Sequence, residues 1–403
     1  PLYSPSHPPP CYSQNPVCDE TRLDSSPTGV LPTGIFTKAY GSITVVLFNQ
    51  ESSAPVPSYG RQVSVRGSLI LEQDISHISE IVAKLEGRME IIEISTAGSG
   101  ALTINTVKNS YSLWSLGSST SSSCPERIDF ACQLPAKFGH RGCEYPLPPS
   151  YNARFPGIPA LFAKCTYSLT ISITEVRRRL GLWSKTKTIR VTIEYHPKAF
   201  PPRAVSPTPP YFLSAVKVMP MEWHQSSFVM NTLCSSNLAP IQCQAFIPSV
   251  KIFGLSDTIP VHLQMSGPLA SLREFMEPSS PSPGDIDDGE SPMHIYLTRM
   301  VEFKYRGKAV SRVMRIGEGH MRPPPPIVNF NCTPLCVPDD ACVQSLDWDG
   351  GVKCDLGVTV GGFQAAGLTV KDFITLELIP QKLGSSPLQH AIPIRLVTET
   401  FSD

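Results

Sequence analysis

Four cysteines, Cys332, Cys336, Cys342 and Cys354, fall within two dozen residues of this 403-residue chain. Four thiolates that close can surround zinc tetrahedrally. Their gaps of three, five and eleven intervening residues match no standard zinc ribbon, so unpaired or loop-stapling cysteines are the competing reading. A β-sandwich enzyme with zinc held by these thiols is therefore the weakest functional alternative, since no general base or activated nucleophile accompanies them in sequence. Asn331-Cys332-Thr333 is a formal glycosylation sequon, handicapped by Pro334.

A second constellation is "EVRRRLGLWSKTKTIR". It sets Arg177, Arg178, Arg179, Lys185, Lys187 and Arg190 on one expected hairpin with Trp183 at its tip. Guanidinium groups grip carboxylates and phosphates in bidentate fashion, so this surface suits an acidic or phosphorylated peptide, or anionic lipid headgroups. An ordinary solvated hairpin is the bland counterpart.

The third is "PPPCYSQ" near the start, where Pro9, Pro10 and Tyr12 fit Pro-Pro-x-Tyr. In that motif a preformed polyproline II turn lies in an aromatic groove and the tyrosine enters a neighbouring pocket, the mode used by WW domains. Pro148-Pro149-Ser150-Tyr151 matches the same string just before an expected strand, and Tyr151 is read as structural.

Other chemistries find no support in the sequence. The nine histidines form no HExxH pair, and no G-x-S-x-G elbow presents a serine. "GEGHMRPP" opens like a dinucleotide loop, but arginine replaces the third glycine and proline follows where a helix must start. "DIDDGE" lacks the spacing of a calcium loop. No cofactor is expected.

Bulk composition limits the partners. Lys+Arg and Asp+Glu balance at 34 each, so there is no global positive field of the kind nucleic-acid binders carry. Twelve cysteines, several set singly in strand-like runs, suit a reducing compartment. The apolar runs are too short to span a bilayer as a helix. No secretory signal opens the chain, although a first residue of proline rather than methionine suggests that the natural start is missing.

Positioning these groups falls to β-structure. Forty-one prolines against 27 glycines, with only 17% charged residues, argue against long exposed helices. Cys165 to Thr174 alternates apolar and small polar residues without a break, and Ile189, Val191, Ile193 and Tyr195 alternate with Arg190, Thr192, Glu194 and His196. "RIDFACQL" repeats the pattern, and "QVSVRGSLIL" does so until Gly67 suggests a bulge. Strands with one wet face and no helices between them predict antiparallel sheets stacked as a sandwich.

The organisation expected is a disordered Pro/Ser-rich tail over 1–37, a first sandwich over 38–197, a proline-rich linker over 198–212 and a second sandwich over 213–400. Mobile insertions are expected near 278–292 and 318–347. Strand candidates in the second half include "SAVKVM", "IPVHLQM", "HIYLTRMVEFKY" and "DFITLELIP"; only "LASLREFME" is spaced like a short helix.

These features in this order resemble the arrestin family, specifically the alpha-arrestins of fungi. The likeness rests on "ITVVLFNQESSAPVPSYGRQVSVRGSLIL", "FACQLP" followed by "LPPSY", "KTIRVTIEYHP", "IPSVKIFGLSDTIPVHLQMSG" and "GLTVKDFITLELIP", from about Tyr40 to Thr398. It implies two immunoglobulin-like β-sandwiches in tandem and a non-enzymatic cytoplasmic adaptor recruited to plasma membrane or endosomes. Such an adaptor binds cytoplasmic tails of membrane transporters or receptors and recruits a WW-domain HECT ubiquitin ligase, so that cargo is ubiquitinated and internalised. On matching positions, Pro9, Pro10 and Tyr12 become the ligase-docking residues and the Arg177–Arg190 hairpin a cargo or lipid contact. The chain departs from the pattern by ending soon after its last expected strand, and no buried Asp/Arg polar core can be picked out of the sequence. A retromer-like scaffold without ligase recruitment is the alternative.

Overall fold

Alternation of apolar and polar residues at every second position buries one face of a strand, and two such faces must meet to leave water. The protein satisfies this with almost nothing but β-structure. The structure, a computed structural model, describes residues 32–401 apart from 53, 62, 73–74, 97, 118–122, 178–182, 206–215, 217, 232–237, 273–274, 276–291, 306, 323–342 and 381–386.

The N-terminal half contains β1 (Gly34–Tyr40), β2 (Ile43–Gln50), β3 (Ser58–Tyr59), β4 (Ser64–Leu71), β5 (Ile78–Ser95), β6 (Gly98–Ser115) and β7 (Arg127–Gln133). It continues with β8 (Lys137–His140), β9 (Cys143–Pro146), β10 (Tyr151–Phe155), β11 (Ala160–Arg177) and β12 (Trp183–Tyr195). One sheet runs β1-β2-β4-β7; the other runs β3-β12-β11-β5-β6, with β10 also paired to β11. Val45, Leu47, Val65, Leu69 and Cys132 of the first sheet share a single core with Ile81, Leu85, Leu169, Ile171 and Val191 of the second. Each of these side chains is excluded from water, which is the driving force for the stacking.

The C-terminal half contains β13 (Trp223–Met230), β14 (Ile241–Pro248), β15 (Ile252–Gly254), β16 (Thr258–Pro268) and the helical turn α1 (Leu269–Leu272). After these come β17 (Met293–Tyr305), β18 (Lys308–Arg322), β19 (Val343–Cys354), β20 (Phe363–Ala365), β21 (Leu368–Leu378) and β22 (Leu388–Val397). They form one hydrogen-bonded sheet in the order β13-β14-β16-β19-β18-β17-β21-β22-β15, with β20 on β21. This ribbon folds back on itself: Cys243 and Leu263 near one end pack in the same core as Ile374, Leu376 and Ile392 near the other.

The fold-back occurs along β18. Among the described residues its first part pairs only with β17, Gly317–Gly319 pair with both β17 and β19, and His320–Arg322 pair with β19. Glycine is required at this crossing, because a Cβ on Gly317 would collide with the Lys353 carbonyl oxygen and one on Gly350 with that of His320.

Several expectations need correction. Strand β1 starts at Gly34, so ordered structure begins inside the expected 1–37 tail. Gly67 makes no bulge: β4 keeps register with both neighbours, and the glycine is there because a Cβ would run into the Val46 carbonyl oxygen. In "SAVKVM" the described Val216 and Val218 have helical backbone where a strand is expected, and Pro220 opens a 3-10 turn. Of the expected helix over Leu269–Glu277, the described residues show α1 and a 3-10 backbone at Phe275. The expected 318–347 insertion is narrower too, because β18 runs to Arg322 and β19 starts at Val343.

Candidate functional site

Two places combine polar chemistry with access, an open edge of the N-terminal half and the seam between the halves. The open edge belongs to β12. Its inner neighbour β11 pairs along Tyr167–Arg177, whereas on its other side, among the described residues, only Glu194 and Tyr195 pair, with β3. Lys185 and Lys187 lie in the parity of the buried Ile189, Val191 and Ile193, so they extend the core-facing row beyond the end of the core. Arg190 is exposed on the opposite face. Lys185, Lys187 and Arg190 therefore do not converge on one surface as expected, because a strand sends successive side chains to opposite sides.

Their pairing differs as well. Lys187 Nζ lies 2.6 Å from Glu175 Oε1, with the Glu175 side chain only 13% exposed, which ties this lysine down. Lys38 on β1 donates from Nζ to the Arg190 carbonyl oxygen at 2.9 Å, capping one edge carbonyl with a cation. Arg177 closes the ladder opposite Trp183. Arg178 and Arg179 lie outside the described residues, as do Pro9, Pro10, Tyr12, Cys332, Cys336 and Cys342. Cys354, the remaining candidate zinc ligand, is buried at the end of β19 and its thiol donates to the Ile316 carbonyl oxygen at 3.3 Å. Burial pushes that thiol up to about 11, which favours the neutral form over the thiolate a metal needs.

At the seam a cleft of about 380 Å³ is lined from the N-terminal half by Tyr151, Lys164 and His196, and from the C-terminal half by Arg299, Met314 and Val358. At its base, Arg299 Nε donates to Asp372 Oδ1 at 2.7 Å, joining β17 to β21 with side chains 4% and 0% exposed. Arg299 Nη2, Asp372 Oδ2 and the Tyr151 hydroxyl are buried without a hydrogen-bond partner among the described residues. Burial pushes Tyr151 up to about 12, with Arg299 opposing and Asp372 reinforcing the shift. Val301, Phe303, Leu368 and Val370 of the C-terminal half pack into the N-terminal core, and polar and aromatic contacts also cross the seam: the Tyr151 ring meets Phe363 edge-on at 5.2 Å, Arg141 sits 5.6 Å over the Tyr305 ring, and Arg312 donates to the Pro159 carbonyl oxygen.

The buried Arg299–Asp372 pair is the feature that sequence reading missed. Both residues sit at apolar-face positions of otherwise regular strands, "HIYLTRMVEFKY" and "LTVKDFITLEL", where a charge breaks the alternation. Their pairing depends on β17 and β21 being neighbours, with Arg299 directly opposite Asp372 in register. A further polar cluster joins β16 to β19, where His262 Nδ1 and Nε2 face Asp349 Oδ1 at 2.6 Å and Asp347 Oδ1 at 3.2 Å. No family model matches the chain, and no curated protein does.

Proposed function

We propose that this protein is a non-enzymatic adaptor of arrestin type, with two immunoglobulin-like sandwiches in tandem. It binds cytoplasmic tails of membrane transporters or receptors and docks a WW-domain HECT ubiquitin ligase through Pro9, Pro10 and Tyr12. Its place of work is the cytoplasmic side of the plasma membrane or endosomes, with anionic lipid as a further contact. The observation that carries this reading is the open edge of β12. An extended acidic segment added there gains main-chain hydrogen bonds from the side of β12 left open among the described residues, and meets Lys185 on one face and Arg190 on the other, beside the Lys38 cap on the Arg190 carbonyl oxygen.

The test is fluorescence anisotropy with a labelled extended peptide rich in glutamate and phosphoserine. Lys185→Glu with Arg190→Glu should weaken binding roughly three- to tenfold at low salt, the scale of two exposed charges, and added salt should weaken the unaltered protein in parallel. Equal binding by the two proteins refutes the edge as the cargo contact. The ligase arm is separate: Tyr12→Ala should abolish capture by isolated WW domains, whereas Tyr151→Ala should not.

A further inference from the structure

Three residues lining the seam cleft each carry a buried side-chain atom with no hydrogen-bond partner among the described residues: the Tyr151 hydroxyl, His196 Nδ1 and Arg299 Nη2. Buried polar atoms are nearly always paired, because an unpaired one gives up water and gains nothing in exchange. Arg299 is only 3% exposed, so its free nitrogen is a firm requirement on whatever occupies the cleft.

The direction of each bond is fixed by chemistry. Asp372 takes Nε of Arg299, so the guanidinium is half used and Nη2 can only donate. The Tyr151 ring is held edge-on by Phe363, and burial keeps its hydroxyl protonated, which makes it a second donor. His196 Nε2 faces Glu194 Oε2 at 3.0 Å; in the neutral ring this puts the proton on Nε2 and leaves Nδ1 an acceptor. The cleft thus offers two donors and one acceptor.

Full charges around it cancel. Lys164 and Arg299 stand against Glu194 and Asp372, two of each sign, and a carboxylate brought to Arg299 Nη2 would lie beside the Asp372 carboxylate. Ala153, Met314, Val358 and Val360 add apolar lining from both halves. The volume, about 380 Å³, far exceeds the share of one water molecule and falls among small-molecule pockets.

We infer that the seam cleft is a binding site for a small uncharged amide with an apolar body, its carbonyl oxygen accepting from Arg299 Nη2 and the Tyr151 hydroxyl and its N–H donating to His196 Nδ1. A ketone or ester satisfies both donors but leaves His196 unpaired. A carboxylate brings acceptors alone and a charge that the balanced cleft does not call for. A hydroxyl meets the set only if all three groups converge on one atom, whereas an amide divides acceptor and donor between two. The site is independent of cargo and ligase docking, so its failure leaves those readings untouched.

The test is a saturation-transfer NMR titration of the full chain at about pH 8, where an ordinary histidine is neutral, with N-benzylacetamide as the probe. Saturable binding with a Kd on the order of 1 mM is expected for a fragment of this size. Benzylacetone, the alcohol formed by reducing it, and hydrocinnamate have nearly the same shape, and each should bind at least about threefold more weakly. Arg299→Met with Asp372→Leu should weaken the amide about tenfold and Tyr151→Phe about three- to tenfold, while His196→Leu should erase its advantage over benzylacetone. Tyr151→Phe keeps the ring against Phe363, so it remains informative should the double variant fail to fold. The inference is overturned by an amide that does not saturate, by any of the three analogues binding as tightly, or by amide affinity that Tyr151→Phe and His196→Leu leave unchanged.

Discussion

Replacing Asp372 by asparagine keeps its size but leaves the Arg299 guanidinium charged and buried. At 2.7 Å and an effective dielectric near 20, the direct attraction is about 6 kcal/mol. Desolvation of two side chains that are 4% and 0% exposed opposes it by several kcal/mol per ion, so the intact pair is close to neutral against an apolar pair of similar volume. Breaking it is not neutral. Asp372→Asn should cost about 3–5 kcal/mol, the usual loss when one buried partner is removed, whereas Arg299→Met with Asp372→Leu should fall within about 1 kcal/mol of the unaltered protein. Urea denaturation followed by circular dichroism and by tryptophan fluorescence measures both, and the two probes reveal whether the halves unfold separately. A loss below about 1 kcal/mol for Asp372→Asn, or a double variant no better than the single one, refutes the reasoning.

Three further outcomes follow from the geometry. Tyr151 is held protonated to about 12, above its ordinary value of 10, so the stability it supports is full below pH 10 and falls as pH rises toward 12; Tyr151→Phe should flatten that fall in urea midpoints taken at about pH 9 and pH 11. Gly317→Ala should destabilise by about 1–3 kcal/mol, read as a lower urea midpoint, because its Cβ collides with the backbone of β19. In mass-spectrometric alkylation at about pH 8, exposed Cys143 should react well before Cys165, whose thiol burial pushes up to about 12, and equal rates would contradict the packing.

The all-β character is legible wherever alternation is unbroken, as in β7, β11 and β12, since a period of two has one structural meaning. The long β5–β6 hairpin is harder to read, because the extra residues at the shifts near Val82 and Arg88 disturb the alternation of β6. Gly67 misleads for a different reason: a glycine in a strand signals either a bulge or a close approach, and only neighbouring backbone decides between them. The seam is invisible for the same cause. Arg299 and Asp372 are 73 residues apart, and nothing local says that β17 will lie beside β21.

The direction of β12 links the two candidate places. The strand starts at Trp183, two residues before Lys185, and ends at Tyr195, next to Glu194 and His196, where the cleft begins. Among the described residues, no strand pairs with its side away from β11 from Trp183 to Ile193, eleven residues or roughly 37 Å at the rise of an antiparallel strand. A peptide added along it therefore meets cations first and the seam last. Short acidic peptides of about four residues should engage the Lys185 end alone, with strong salt dependence, and affinity should rise with length until the edge is filled at about eleven. Anisotropy across a length series at constant charge density checks this. Affinity that tracks charge alone, with no plateau near that length, would reduce the edge to a patch of solvated bases and remove strand addition from the mechanism.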